Sequence, residues 1–289
     1  MSWRVVFVTR IPEVLAGFET VVSGRGHEVV ALLTNRTAMG GFTTSELVFG
    51  APESLDVLLP ARRSSIAPLL ASVEPDLVIC MGFPWKIPPD ALAVPRLGWL
   101  NGHPGFLPRH RGPLPVAWAI RSGEDELGIT FHRMDAELDT GPIFSQRSFP
   151  FDGLELPEVF YPRLGTVVGE ALAEALARLE AGDEGMVQPD GGSYESFFTQ
   201  DDVWLDLSRP AAEVHRMVWA WLYAFSTEGP SGALLEVDGA PVRVRVTSLD
   251  EVEGARRIEC VDAPLWIVQT EELSEEEASQ TTGPAPSTR

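Results

Sequence analysis

The chain has 289 residues, 44% of them hydrophobic, which is enough to fill one large core and a smaller one. With 42 acidic against 22 basic side chains it carries a formal charge of −20, which repels polyanions, leaves no basic stripe for a phosphate backbone and argues against a nucleic-acid partner. No apolar run reaches the roughly eighteen residues of a membrane span, and the two cysteines, Cys80 and Cys260, imply neither a disulfide framework nor a metal cluster, so a soluble cytoplasmic protein with two buried structural thiols is expected.

In chain order, "WRVVFVT" (3–9) reads as a strand, residues 12–23 as a helix opened by Pro12 and closed by "SGRG", and "HEVVALLT" (27–34) as a second strand. A strand at "LDVLLP", a helix over "SSIAPLLASV" and the apolar run "DLVICMG" (76–82) continue the alternation. That alternation predicts an α/β fold, a Rossmann-like domain with a mostly parallel sheet wrapped by helices. "LGWLN" (97–101) ends a strand on Asn101, where an open α/β sheet places its ligand crevice. Beyond it, "PVAWAIRSG" reads as a helix and "LGITFHRM" and "GPIFSQRSFPF" as strands. A long helix follows, with Leu164, Val167, Val168, Ala171, Leu172, Ala175, Leu176 and Leu179 as its apolar stripe.

Residues 182–200 are rich in Gly, Asp and Ser and read as a linker after a catalytic domain over 1–181. From 201 to 270 one helix, "PAAEVHRMVWAWL", precedes four short alternating strands, which predicts a small C-terminal β-barrel of OB-like type. The glutamate-rich tail 271–289 has no aromatic residue and is expected to be disordered.

No G-x-G-x-x-G, no G-x-x-x-x-G-K-[ST] and no G-x-S-x-G occurs, and no metal-ligand spacing joins the histidines and carboxylates, so no metal is expected. What converges is a polar trio: Asn101, His103 two residues on, and Asp139 in "MDAELDTGP". A histidine exchanges protons near neutral pH, a carboxylate favours its cation, and an amide donates to a developing oxyanion. These groups suit acyl transfer to an external acceptor, since no serine or cysteine nucleophile accompanies them. An Asn and a His that only cap and pin a loop are the competing reading.

"NGHPGFLPRHRGPLPVAWAI" followed by "GITFHRMDAELDTGPIF" resembles the signature of the formyltransferase family that uses 10-formyltetrahydrofolate. That family includes glycinamide ribonucleotide and methionyl-tRNA formyltransferases, sugar N-formyltransferases and the hydrolase domain of formyltetrahydrofolate dehydrogenase. The resemblance runs from Trp3 to about residue 200 and rests on Asn-x-His, Leu-Pro-x-x-x-Gly (107–112) and Asp-x-Gly at Asp139 and Gly141. It implies that His103 stabilises the oxyanion and shuttles a proton, Asn101 donates to the formyl oxygen, and Asp139 tunes His103 and helps deprotonate the attacking amine. It implies 10-formyltetrahydrofolate as cosubstrate, its pterin held by Phe83, Trp85 and Ile87 and by backbone groups of Asp135, Ala136, Glu137 and Leu138. Lys86, the only lysine, would meet the anionic glutamate tail.

The chain departs from the tRNA enzymes of that family. Gly105 stands where a serine is usual, and the stretch 35–54 is not basic, with one arginine against two glutamates. Residues 201–270 hold twelve acidic and six basic side chains, a net of −6 and a poor cradle for tRNA. The expectation is therefore a small-molecule amine as partner, a specialised metabolite, amino sugar or amino-acid-derived amine. Gly105, Arg111 and Trp118 are assigned to its site, with Trp219, Trp221 and Tyr223 as further aromatic candidates. A 10-formyltetrahydrofolate hydrolase and a catalytically silent folate-binding protein are the alternatives. Assembly stays open, a homodimer being one option.

Overall fold

The computed structural model describes residues 1–36, 44–151, 155–225 and 231–281. The chain opens with β1 (Arg4–Thr9), α1 (Pro12–Gly24), β2 (Glu28–Leu33), α2 (Thr44–Gly50) and β3 (Asp56–Leu58). It continues through α3 (Ile66–Ala71), β4 (Leu77–Met81), α4 (Pro89–Leu92), β5 (Trp99–His103), α5 (Pro115–Ser122), β6 (Glu126–Arg133) and β7 (Ile143–Pro150). Then come α6 (Pro157–Glu180), α7 (Ala211–Trp221), β8 (Ala233–Val237), β9 (Ala240–Ser248), β10 (Arg256–Glu259), β11 (Pro264–Glu272) and α8 (Glu275–Gln280).

Seven strands form one sheet in the order β3-β2-β1-β4-β5-β6-β7. The pairs from β3 to β5 are parallel and β6 runs antiparallel to β5. Every residue of β4 and five of six in β1 are buried, as strands covered on both faces must be. The chain winds outward from β1 through β2 and β3, then returns to place β4 on the other side of β1. That reversal puts the crevice of a doubly wound sheet beyond the carboxyl ends of these central strands. The stripe of α6 is buried as expected except at Val167, which is half-buried, and Phe160 joins it.

The remaining four strands make a separate antiparallel sheet, β10-β11-β9-β8, the barrel-like element expected after the larger domain. Trp219, Trp221 and Tyr223 are buried here with Leu234, Val244 and Leu265, so these aromatics build a core. Packing divides the chain into two compact units. One comprises Met1–Arg111, Gly128–Phe149 and Phe160–Ser193; the other comprises Gly112–Leu127, Pro150–Val159 and Tyr194–Arg289. The second unit therefore takes in α5, which packs on α7. Its boundary with the first falls between Ser193 and Tyr194, inside the stretch expected to be a linker.

Two expectations need correction. Residues 271–281 are not disordered: β11 runs to Glu272 and α8 follows. Ser274 and Glu277 form a reciprocal capping box at its start, and Arg243 binds the Glu277 carboxylate, so local hydrogen bonds offset the missing apolar surface. Cys260 is only half-buried, whereas Cys80 is buried as expected. Residues 37–43, part of the loop singled out as not basic, and 282–289 of the tail lie outside the described residues.

Candidate active site

Residues two apart on a strand share a face, so β5 presents Asn101 and His103 on the same side. The register with β6 sets His132 opposite Asn101 and Thr130 opposite His103, which brings two more polar side chains to that face. Asp139 comes from the loop between β6 and β7. Its backbone is left-handed, with φ of 58°, and the loop passes so close to β6 that a Cβ on Gly141 would lie 1.9 Å from the Arg133 carbonyl oxygen.

These elements bring the expected trio together. The Asp139 carboxylate, 12% exposed, has Oδ2 3.7 Å from His103 Nδ1 and Oδ1 3.4 Å from both His132 Nε2 and Asn101 Nδ2. His103 Nε2 lies 2.8 Å from the His110 carbonyl oxygen. A carbonyl only accepts, so Nε2 carries the hydrogen and the neutral ring presents its lone pair at Nδ1, toward Asp139. Likewise His132 Nδ1 donates to the Arg133 carbonyl at 3.0 Å, leaving Nε2 to accept from Asn101 Nδ2 at 3.1 Å.

Burial holds the His103 imidazole below the ordinary histidine range, and the Asp139 charge only partly opposes it. The ring is therefore neutral at pH 7, with a carboxylate placed to stabilise its cation. Cys80, paired with Asn101 across β4 and β5, has its thiol pushed up to about 12 by burial and then by the Asp139 charge, which makes it unreactive.

The loop after His103 is fixed by hydrogen bonds. Thr130 Oγ1 donates to the Gly105 carbonyl at 2.7 Å and accepts from Leu107 N at 3.2 Å; Gln146 Nε2 donates to the Leu107 carbonyl at 2.7 Å. Gly105 is thus buried and engaged within the loop. The Arg111 guanidinium binds Gln188 Oε1, through Nη2 at 2.8 Å and Nε at 3.3 Å. Trp118 belongs to the second compact unit, where its Nε1 donates to the Ser196 carbonyl and its ring meets Phe198 edge to face.

Phe83 and Trp85 are half-buried, edge to face with ring centroids 5.8 Å apart, and pack on the core that also supports Met134. Ile87 is 4% exposed and belongs to that core, so it lies beneath the expected apolar wall. Lys86 is exposed, as are Asp135, Ala136, Glu137 and Leu138, and Asp135 Oδ1 accepts from Glu137 N and Thr140 Oγ1. Among the described residues no cluster of three or more His, Cys, Asp or Glu is arranged to hold a metal, and no helix is long and apolar enough to cross a membrane.

Sequence reasoning missed His132 and Gln188. The alternation in "GITFHRM" puts His132 and Thr130 on one face, but only the pairing of β5 with β6 shows which face. Gln188 lies in the supposed linker and carries no motif.

Comparison with known proteins agrees with this architecture. Residues 19–176 match the formyl transferase family. The methionyl-tRNA formyltransferase of Sinorhizobium medicae strain WSM419 is 33% identical over 269 residues, 88% of this chain and 84% of that protein. Among solved structures, HypX from Aquifex aeolicus in complex with tetrahydrofolic acid superimposes with a TM-score of 0.68 at 22% identity over 96% of this chain, which spans 45% of HypX. A sugar N-formyltransferase from Shewanella sp. FDAARGOS_354 gives 0.65 at 19% identity, covering 87% of this chain and 99% of that one. These structural likenesses speak to the fold; the family match over more than half the chain, with 33% identity to a relative matched over 84% of its length, carries the assignment. The chain belongs to the formyl transferase family.

Proposed function

We propose that the protein moves the formyl group of 10-formyltetrahydrofolate to the amine of a small molecule, with Asn101, His103 and Asp139 as the catalytic residues. The observation that carries the reading is a buried, neutral His103 whose free Nδ1 faces a carboxylate, on the same strand face as an amide donor. Tetrahydrofolate bound to the structurally similar HypX supports the donor class. The residues fit such a donor: Phe83 and Trp85 offer half-buried aromatic surface, and the exposed backbone of Asp135–Leu138 offers polar groups for a heterocycle edge. Lys86 is available to an anionic tail.

The donor supplies the formyl carbon. The attacking amine nitrogen bonds to that carbon and the bond to the folate nitrogen breaks. His103 Nδ1 takes the proton that the amine gives up and returns it to the departing nitrogen. Asp139 stabilises the imidazolium while it exists. Asn101 Nδ2, held 3.1 Å from His132, exchanges its long 3.4 Å contact with Asp139 for the developing oxyanion.

Charge supports the small acceptor. Of the arginines between 201 and 270, five face carboxylates: Arg209, Arg243, Arg245, Arg256 and Arg257. The sixth, Arg216, donates to a carbonyl. Cations neutralised in this way are poorly placed for phosphate contacts. The sequence relative is named for a tRNA acceptor, so the acceptor is the part to test. Release of tetrahydrofolate from 10-formyltetrahydrofolate is followed with water, with amino sugars, amino acids and their amides, and with methionyl-tRNA. The reading predicts release with a small amine at a kcat/KM at least tenfold above methionyl-tRNA. Preference for methionyl-tRNA overturns the acceptor; full release in water makes the protein a hydrolase.

A further inference from the structure

Two loops carry the groups assigned to catalysis, and one side chain ties them together. The loop 104–112 supplies the His110 carbonyl that fixes His103 Nε2, and the loop 134–142 supplies Asp139. Gln188 Nε2 donates to the carbonyl oxygens of Asp139, at 2.8 Å, and Gly141, at 2.9 Å, while its Oε1 accepts from Arg111. Carbonyls only accept and a guanidinium only donates, so these partners fix the orientation of the carboxamide and engage both of its donor hydrogens.

The surrounding chain holds Gln188 in place. Met186 pairs with Ile143 through two backbone hydrogen bonds of 2.8 Å, and Ser193 Oγ accepts from His110 N at 2.9 Å. Between these anchors Val187 is 80% exposed and Pro189 is exposed, while Gln188 turns inward. The loop it grips turns through a left-handed backbone at Asp139 and passes against the Arg133 carbonyl at Gly141.

We propose that Gln188 is a positioning residue for formyl transfer, clamping the Asp139 backbone to the Arg111 loop so that the Asp139 carboxylate stays beside His103 Nδ1. The inference rests on the assignment of Asn101, His103 and Asp139 as catalytic.

The informative variant is Gln188→Glu. It keeps the volume and the acceptor for Arg111 but turns an oxygen toward two carbonyl oxygens in place of a donor. Gln188→Leu removes both donors without adding a charge and serves if Gln188→Glu does not fold. Turnover is read as tetrahydrofolate release from 10-formyltetrahydrofolate, with whichever acceptor of the panel above, water included, is fastest for the wild type. Misplacing Asp139 is expected to lower kcat by about ten- to a hundredfold. The acid limb of kcat, read in the uncharged Gln188→Leu because the carboxylate of Gln188→Glu would itself support the His103 cation, should also move to lower pH, since a withdrawn Asp139 supports that cation less. The other titratable groups acting on His103 are His132 and His110, and neither is touched by Gln188. Loss of folded protein alone would lower the amplitude without moving the limb.

Wild-type kcat and an unmoved limb in the folded variant, alongside an inactive His103→Ala, would overturn the clamp and leave the catalytic assignment standing. A fully active His103→Ala would overturn both.

Discussion

In the proposed reaction the chemistry at His103 would follow from which ring nitrogen is occupied. The His110 carbonyl takes Nε2, so the lone pair lies at Nδ1, 3.7 Å from Asp139, a separation that suits a neutral ring and shortens once a proton arrives. Asn101 would contribute, in the proposed reaction, the donor that a developing oxyanion requires. Asn101→Ala is accordingly expected to lower kcat by about a hundred- to a thousandfold, since one oxyanion donor is commonly worth that much. Its thermal midpoint should stay close to wild type, because the Asn101 side chain is only half-buried; steady-state kinetics with a melting curve checks both. Asn101, His103 and Asp139 are legible in the sequence because residue type, spacing and a strand end coincide. His132 and Gln188 are not, because their place depends on which strand pairs with β5 and where a returning segment crosses the loops.

At the level of elements, α7 and β9 meet at a buried histidine. His215 on α7 has Nδ1 2.9 Å from Thr247 Oγ1 on β9, and Trp219 Nε1 donates to the Thr247 carbonyl at 3.4 Å. Burial, then the neighbouring Arg216 charge, lowers the His215 pKa to about 4. The unfolded chain binds a proton there at about 6.5, so its contribution to stability is complete above that pH and is lost as the pH falls toward 4. Between pH 6.5 and 5 this amounts to about 2 kcal/mol. Denaturant melts at these two pH values should show the decline in the wild type and a flatter dependence in His215→Asn, which does not titrate; equal slopes would remove His215 as the cause. Burial of His103 acts in the same direction in both proteins. Most of these elements follow from periodicity and turn residues, including α7 and all four strands of the small sheet. The helix α8 does not, because its capping box hides in a glutamate run, and neither does the packing of α5 on α7, which joins segments far apart in the chain.

Across the whole molecule, the fold legible in the sequence is the one found: a mostly parallel sheet wrapped by helices and a separate antiparallel sheet. The order of strands is not written in any local pattern, since it arises from long-range pairing. The formal charge of −20 acts at this scale too, disfavouring a polyanionic partner. All of these features matter to function only if the β5 site performs the transfer. The most direct measurement is the single-turnover rate of tetrahydrofolate release from 10-formyltetrahydrofolate by His103→Ala beside the wild type, with the fastest acceptor present. A fall of about a hundred- to ten-thousandfold in a folded protein is the predicted result for loss of a general base, and a rate within a few-fold of wild type would contradict the account.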